Sequence, residues 1–108
     1  MKANWFYILL SVSAAPRYGT AIHDDVRALS EGKVRLWPAT LYGSIEELVR
    51  QGWLEEVADH ERPESVSGRE RFYRITQSGR AALTAEVRRM ESLAQVARAR
   101  LTPQEAGA

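Results

Sequence analysis

The chain has 108 residues, with 15 basic and 14 acidic side chains, a net charge of +1 and no cysteine. That length suits one domain with an appended element, and its core is modest enough that self-association would help to bury apolar surface. The absence of cysteine excludes a disulfide framework and a thiolate metal site and fits a cytoplasmic setting. A charge this close to zero gives, by itself, no argument for a nucleic-acid partner.

In chain order, the first apolar run, Trp5 to Leu10, is too short to span a bilayer. Its single upstream Lys2 and the lack of a small-x-small cleavage pattern argue against export and against a membrane partner. The run predicts a packed helix from Ala3 to about Ala14, stopped by Pro16. Tyr18-Gly19-Thr20 turns the chain into a second helix ending near Ser30, with Ile22, Val26 and Leu29 inward. Val34 to Leu36 reads as a short strand that pairs with a later hairpin.

Trp37 to Leu54 has a marked start and stop. Pro38 fits the first helical position, where its missing N–H costs nothing, and Gly52 fits the left-handed residue just past the end. Leu41, Ile45, Leu48 and Val49 recur at helical spacing and face a core. The opposite face presents Ala39, Tyr42, Gly43, Glu46 and Arg50, flanked by Thr40 and Ser44. Small and hydroxyl side chains first, acid later, suit a helix that pushes its amino end into a major groove; an ordinary amphipathic surface helix shows the same pattern.

Trp53 to Ala58 reads as a strand, Asp59 to Gly68 as a polar turn and Arg69 to Ile75 as a returning strand, together a hairpin with a long tip. Arg69, Arg71 and Arg74 on the return strand could lie along a phosphate backbone, with Arg62 in the tip. From Glu55 to Arg74, however, four arginines face six acids, so cross-strand pairing is the competing reading. Residues 1–58 carry six basic and seven acidic groups, whereas Arg69 to Arg89 carry six basic and two acidic. Positive charge is therefore concentrated in the return strand and in the helix after it.

Thr76 is placed to cap that last helix by accepting an N–H from Ser78 or Gly79. Leu83, Val87, Met90, Ala94, Ala97 and Leu101 recur along it at spacings of 4, 3, 4, 3 and 4, with Leu93 and Val96 widening the stripe. Such a seam suits a partner helix, and Ala94 with Ala97 would let two backbones approach closely; folding back on its own domain is the alternative.

Helix, strand and hairpin in this order are those of a winged helix, and several short motifs together resemble the PadR-type bacterial transcriptional regulators, in the subgroup with one short terminal helix. They are Tyr18-Gly19, Pro38-Ala39-Thr40-Leu41-Tyr42, Gly52-Trp53-Leu54 and Tyr73-Arg74-Ile75-Thr76-Gln77-Ser78-Gly79. The resemblance implies a mainly α fold with a small β-hairpin: a winged helix-turn-helix DNA-binding domain at residues 1–76 and a long dimerisation helix with a short tail at 77–108. It implies a homodimeric repressor on an inverted-repeat operator in double-stranded DNA. Thr40, Tyr42, Gly43, Ser44, Arg69, Arg71 and Arg74 are the expected DNA contacts. Trp37 stands where the family often has a small hydroxyl residue, and the family's frequent basic residue early in the recognition helix is missing, so readout is expected to rest on Thr40, Tyr42, Ser44 and the wing.

The same resemblance places Trp5, Ile8, Leu9 and Val12 of one subunit against Leu83, Val87, Met90 and Leu93 of the other, with Ala94, Ala97 and Leu101 continuing the dimer seam. Some relatives hold planar apolar ligands between subunits. Trp5, Phe6, Met90 and Leu93 are the candidates for such a pocket, a small apolar or aromatic effector releasing the repressor, unless they simply fill the interface.

Catalysis finds little support in these residues. His23 and His60 each sit beside carboxylates but lack a third ligand or a nucleophile at useful spacing, and the neighbouring acids Asp24-Asp25, Glu46-Glu47 and Glu55-Glu56 project in different directions. Gly19, Gly32, Gly43 and Gly52 stand alone, so there is no phosphate loop. No catalytic residue, metal or cofactor is expected. The stronger rival is a winged-helix protein-interaction module that does not bind DNA, favoured by Glu46, Glu47, Glu55 and Glu56.

Overall fold

A computed structural model describes residues 1–64 and 67–103 of the chain. Among them run α1 (Ala3–Val12), β1 (Arg17–Tyr18), α2 (Gly19–Leu29), α3 (Pro38–Arg50), β2 (Leu54–Glu56), a single 3-10 turn (Asp59–Glu61), β3 (Phe72–Ile75) and α4 (Gln77–Leu101). This is a winged helix-turn-helix, mainly α with a small antiparallel sheet. Ser65 and Val66 of the expected hairpin tip, and residues 104–108 of the expected tail, lie outside the described residues.

The core forms where the helical stripes converge. Ile8, Leu9 and Val12 of α1, Ile22 and Val26 of α2, and Leu41, Ile45 and Leu48 of α3 pack with Leu36, Leu54, Tyr73 and Leu83. Leu83 shares this core, so the first turns of α4 belong to the same packed unit as α1–α3.

α3 begins at Pro38, and past its end Gly52 adopts φ 80°, which a glycine takes without a Cβ penalty. Gly52 N–H then donates to the Val49 carbonyl and Trp53 N–H to the Leu48 carbonyl, both at 3.0 Å, turning the chain into β2. α4 starts as expected: Thr76 Oγ1 accepts the Gly79 N–H at 3.0 Å. The same hydroxyl donates to the Gly52 carbonyl at 2.6 Å, and Thr76 N–H donates to the Trp53 carbonyl at 3.0 Å, so one residue joins the end of α3 to the start of α4.

The structure corrects several sequence expectations. The third strand is Arg17–Tyr18, not Val34–Leu36; the sheet order is β1-β3-β2, with Arg17 opposite Tyr73 and Tyr18 opposite Phe72. Val34 to Leu36 does not pair in the sheet: Val34 N–H goes to Ser30 Oγ at 2.9 Å and Leu36 drops into the core. Leu29 and Val49, both expected inward, are 43% and 41% exposed, because each lies at the margin of its helix's apolar stripe. The wing strands are shorter than expected, since Trp53, Arg69 and Arg71 lie outside the ladder.

Candidate nucleic-acid interface

α3 presents Ala39, Thr40, Tyr42, Gly43, Glu46 and Arg50 to solvent, with Ser44 half-buried. Two clefts flank it. One, of about 250 Å³, runs between α3 and the start of α1, and Thr40, Gly43 and Ser44 form a wall of it opposite Lys2 and Trp5. The other, of about 560 Å³, runs between α3 and the wing, where Tyr42, Val49 and Arg50 face Glu56, Arg71 and Tyr73. Val49 is exposed because it borders this second cleft.

A third cleft, of about 230 Å³, joins the start of α2 to the wing: Tyr18, Gly19 and Thr20 face Arg69 and Arg71, with Tyr42 between. Tyr42 and Arg71 therefore each border two clefts. The structure brings Tyr42, Arg69 and Arg71 together, while Thr40, Gly43 and Ser44 open toward α1.

The wing arginines are more committed than their sequence spacing suggests. Glu55 lies opposite Arg74 across β2 and β3, and Arg74 donates from Nε to Glu55 Oε1 at 2.7 Å and from Nη1 to Glu61 Oε2 at 3.1 Å. These hydrogen bonds, to Glu55 first and Glu61 second, raise the Arg74 pKa. Arg71 Nε lies 3.8 Å from Glu56 Oε1. Arg62 serves the wing's own backbone, donating to the carbonyls of Glu70 at 3.0 Å and Gly68 at 3.4 Å. Tyr73 is buried beside this pairing, and its pKa is raised by that burial first and by Glu56 second.

Among the described residues Lys33, Arg35, Arg50 and Arg69 make no side-chain ion pair. These unpaired cations lie in the α2–α3 connection, at the end of α3 and in the wing just before β3. Sequence reasoning missed Lys33 and Arg35 because an expected strand there assigned them no role. Charge count could not separate paired from free arginines; only the strand register does that.

The expected dimer residues divide into two groups. Ile8 and Leu9 are 0% exposed and Val12 and Leu83 are also buried, all within the core of this chain, so they offer no surface to a second chain. This corrects the expectation for Ile8, Leu9, Val12 and Leu83: the apolar stripe of α1 is consumed by α2, α3 and the start of α4. Trp5 is half-buried, edge-on to Trp53 at 5.7 Å, and Phe6 is edge-on to Tyr7 at 5.8 Å. The cleft that Trp5 borders has α3 as its other wall, not Met90 or Leu93. Val87 is half-buried, whereas Met90, Leu93, Ala94, Val96, Ala97 and Leu101 are exposed along the second half of α4.

Among the described residues there is no cluster of three or more His, Cys, Asp or Glu side chains able to hold a metal ion, and no helix long and apolar enough to cross a membrane.

The helix-turn-helix with its sheet-borne wing defines the class, and comparison with known proteins gives the family. A model of the transcriptional regulator PadR-like family matches residues 8–85, and the chain belongs to that family. A PadR family transcription regulator from hypervirulent Clostridium difficile R20291 is 16% identical and superposes with a TM-score of 0.76, covering 94% of this chain and all of its own. A transcriptional regulator from Clostridium thermocellum is 20% identical, with a TM-score of 0.71 over 92% of this chain and 90% of its own. RosR from H. salinarum is 24% identical, with a TM-score of 0.67 over 85% of this chain and 76% of its own. These structures share the fold. No curated protein matches the chain. The family is one of transcriptional regulators, which supports DNA-binding regulation.

Proposed function

We propose that this PadR-like regulator is a homodimeric, sequence-specific repressor that occupies a promoter in the cytoplasm. The observation that carries the reading is the exposed face of α3, Ala39, Thr40, Tyr42 and Gly43, standing between α1 and the wing in a winged-helix chain of a regulator family. Thr40, Tyr42, Gly43 and Ser44 read base edges, while Arg69 and Arg71 meet phosphates beside the start of α2. Arg74, locked between Glu55 and Glu61, orders the wing rather than contacting DNA.

Dimerisation uses the second half of α4, where Met90, Leu93, Ala94, Val96, Ala97 and Leu101 have no cover of their own. The working division is thus a reading unit ending near Val87 and a dimer segment beyond it, further along the chain than residue 76. A partner α4 laid against α1 would bring Met90 and Leu93 to Trp5 and Phe6, and an apolar aromatic effector held there would shift the spacing of the two reading helices.

Hydroxyl-radical footprinting on DNA from upstream of its own gene tests this reading. Two protected patches about one helical turn apart, related by a dyad, support it; a single patch or none contradicts it. The rival reading, a protein-interaction module, is favoured by the carboxylates that pair Arg71 and Arg74. It gains if the protein protects no DNA while Tyr42→Ala weakens a protein complex.

A further inference from the structure

The segment joining α2 to α3 alternates in burial: Lys33 is exposed, Val34 half-buried, Arg35 exposed, Leu36 buried and Trp37 exposed. Val34 and Leu36 fasten the segment inward, and Lys33, Arg35 and Trp37 are the solvent-exposed positions that alternate with them. The base is firm. Ser30 Oγ accepts the Val34 N–H at 2.9 Å, Leu36 is in the core, and Pro38 begins α3 immediately after.

Three features set this row apart. Neither Lys33 nor Arg35 has a carboxylate partner among the described residues, in contrast to Arg71 and Arg74. Trp37 is 68% exposed, the most exposed aromatic side chain among the large hydrophobics, and it provides no side-chain cap to α3. The row also ends at Trp37, the residue just before α3, so whatever the start of α3 approaches, Trp37 approaches too.

We propose that Lys33, Arg35 and Trp37 form a second clamp on duplex DNA, gripping the sugar-phosphate backbone beside the groove that α3 enters. The proposal rests on the DNA-binding reading above. Two unpaired cations complement phosphate charge, and indole offers an N–H donor for a phosphate oxygen and a flat apolar face for deoxyribose. Because backbone contacts are independent of sequence, the clamp adds affinity and register but no base preference.

Acrylamide quenching tests it directly. Trp5 and Trp53 are half-buried against one another and Trp37 is 68% exposed, so the Trp37→Phe variant gives the quenching of the other two and the difference from wild type is that of Trp37. With a mixed-sequence duplex about three helical turns long at low salt, quenching of the wild-type dimer is expected to fall to the level of Trp37→Phe. Lys33→Gln and Arg35→Gln each lower the slope of log affinity against log salt by about one, and Trp37→Ala lowers affinity by about tenfold without changing the slope. All three side chains are exposed, so the variants fold as the wild type does.

If the wild type binds the duplex while Trp37 stays open to acrylamide and the slopes do not change, the clamp is overturned and the DNA-binding reading stands. If the wild type binds no duplex, including its own upstream region, both fall. Equal protection of Trp37 by poly-glutamate and by duplex assigns the row to an acidic protein partner and overturns the clamp.

Discussion

Tyr42 of α3 lies over Gly19 at the start of α2, so close that a Cβ at Gly19 would sit 2.8 Å from Tyr42 Cζ. The contact fixes the angle between the two helices of the helix-turn-helix and holds the Tyr42 ring at the junction of two clefts. Tyr42 is still 46% exposed, so it packs with one edge and leaves the other to solvent.

Gly19→Ala is therefore expected to cost about 1–3 kcal/mol of stability, because the added methyl must displace the Tyr42 ring. Urea unfolding measures the loss. The Gly19→Ala, Tyr42→Ala double variant should recover most of it relative to Tyr42→Ala alone. Strict additivity of the two losses would show that the contact is not the cause.

Thr76 joins α3 to α4 through three hydrogen bonds, so its loss should be felt in both. Thr76→Ala removes the cap on Gly79 and the bond to the Gly52 carbonyl, at a cost of about 1–2 kcal/mol. Thr76→Ser keeps the hydroxyl and should retain most of the stability. Equal unfolding midpoints for Ala and wild type would contradict this placement.

Glu56 lies 3.8 Å from Arg71, the cation that the proposed function sets against phosphate. Glu56→Gln should raise affinity for any duplex and steepen the salt dependence by about one counterion. In an Arg71→Ala background the gain in slope should vanish. If it persists there, the effect is a general change of field and Arg71 is not the released group.

Glu86 is buried on α4, hydrogen-bonded to Arg89 and, at 3.0 Å, to the Met1 ammonium. Arg89 first and Met1 second hold its carboxyl down at about 2, below the ordinary carboxylate value of 4.5. A carboxyl lowered on folding contributes stability above its unfolded pKa and loses it as pH falls through the folded one. The wild type should thus exceed Glu86→Gln in melting temperature at neutral pH, with the gap closing between pH 4.5 and pH 2. A gap independent of pH would mean that Glu86 acts by packing alone.

What was legible in the sequence follows from how local each signal is. α3 was readable because Pro38 and Gly52 mark its ends and Leu41, Ile45 and Leu48 keep one face. α4 was readable from the Thr76 cap and a long stripe. β1 was not, since a two-residue strand has no period; it pairs with β3, where Tyr18 meets Phe72 edge-on at 5.3 Å. The site was half legible. Tyr42 and Arg71 do border the same clefts, but whether an arginine is free depends on strand register, which sets Glu55 opposite Arg74. The resemblance assigns Ile8 and Leu9 to a dimer seam and apolar spacing assigns Leu83, and neither says whether the covering surface is the same chain or another.

The measurement that bears most directly on the whole account is fluorescence anisotropy of the purified protein on DNA from upstream of its own gene, beside scrambled DNA of equal length, across a salt series. A sequence-reading repressor binds the native segment at least about a thousandfold more tightly, with affinity falling steeply as salt rises. Equal, weak binding to both DNAs would contradict it and put the protein-interaction reading first.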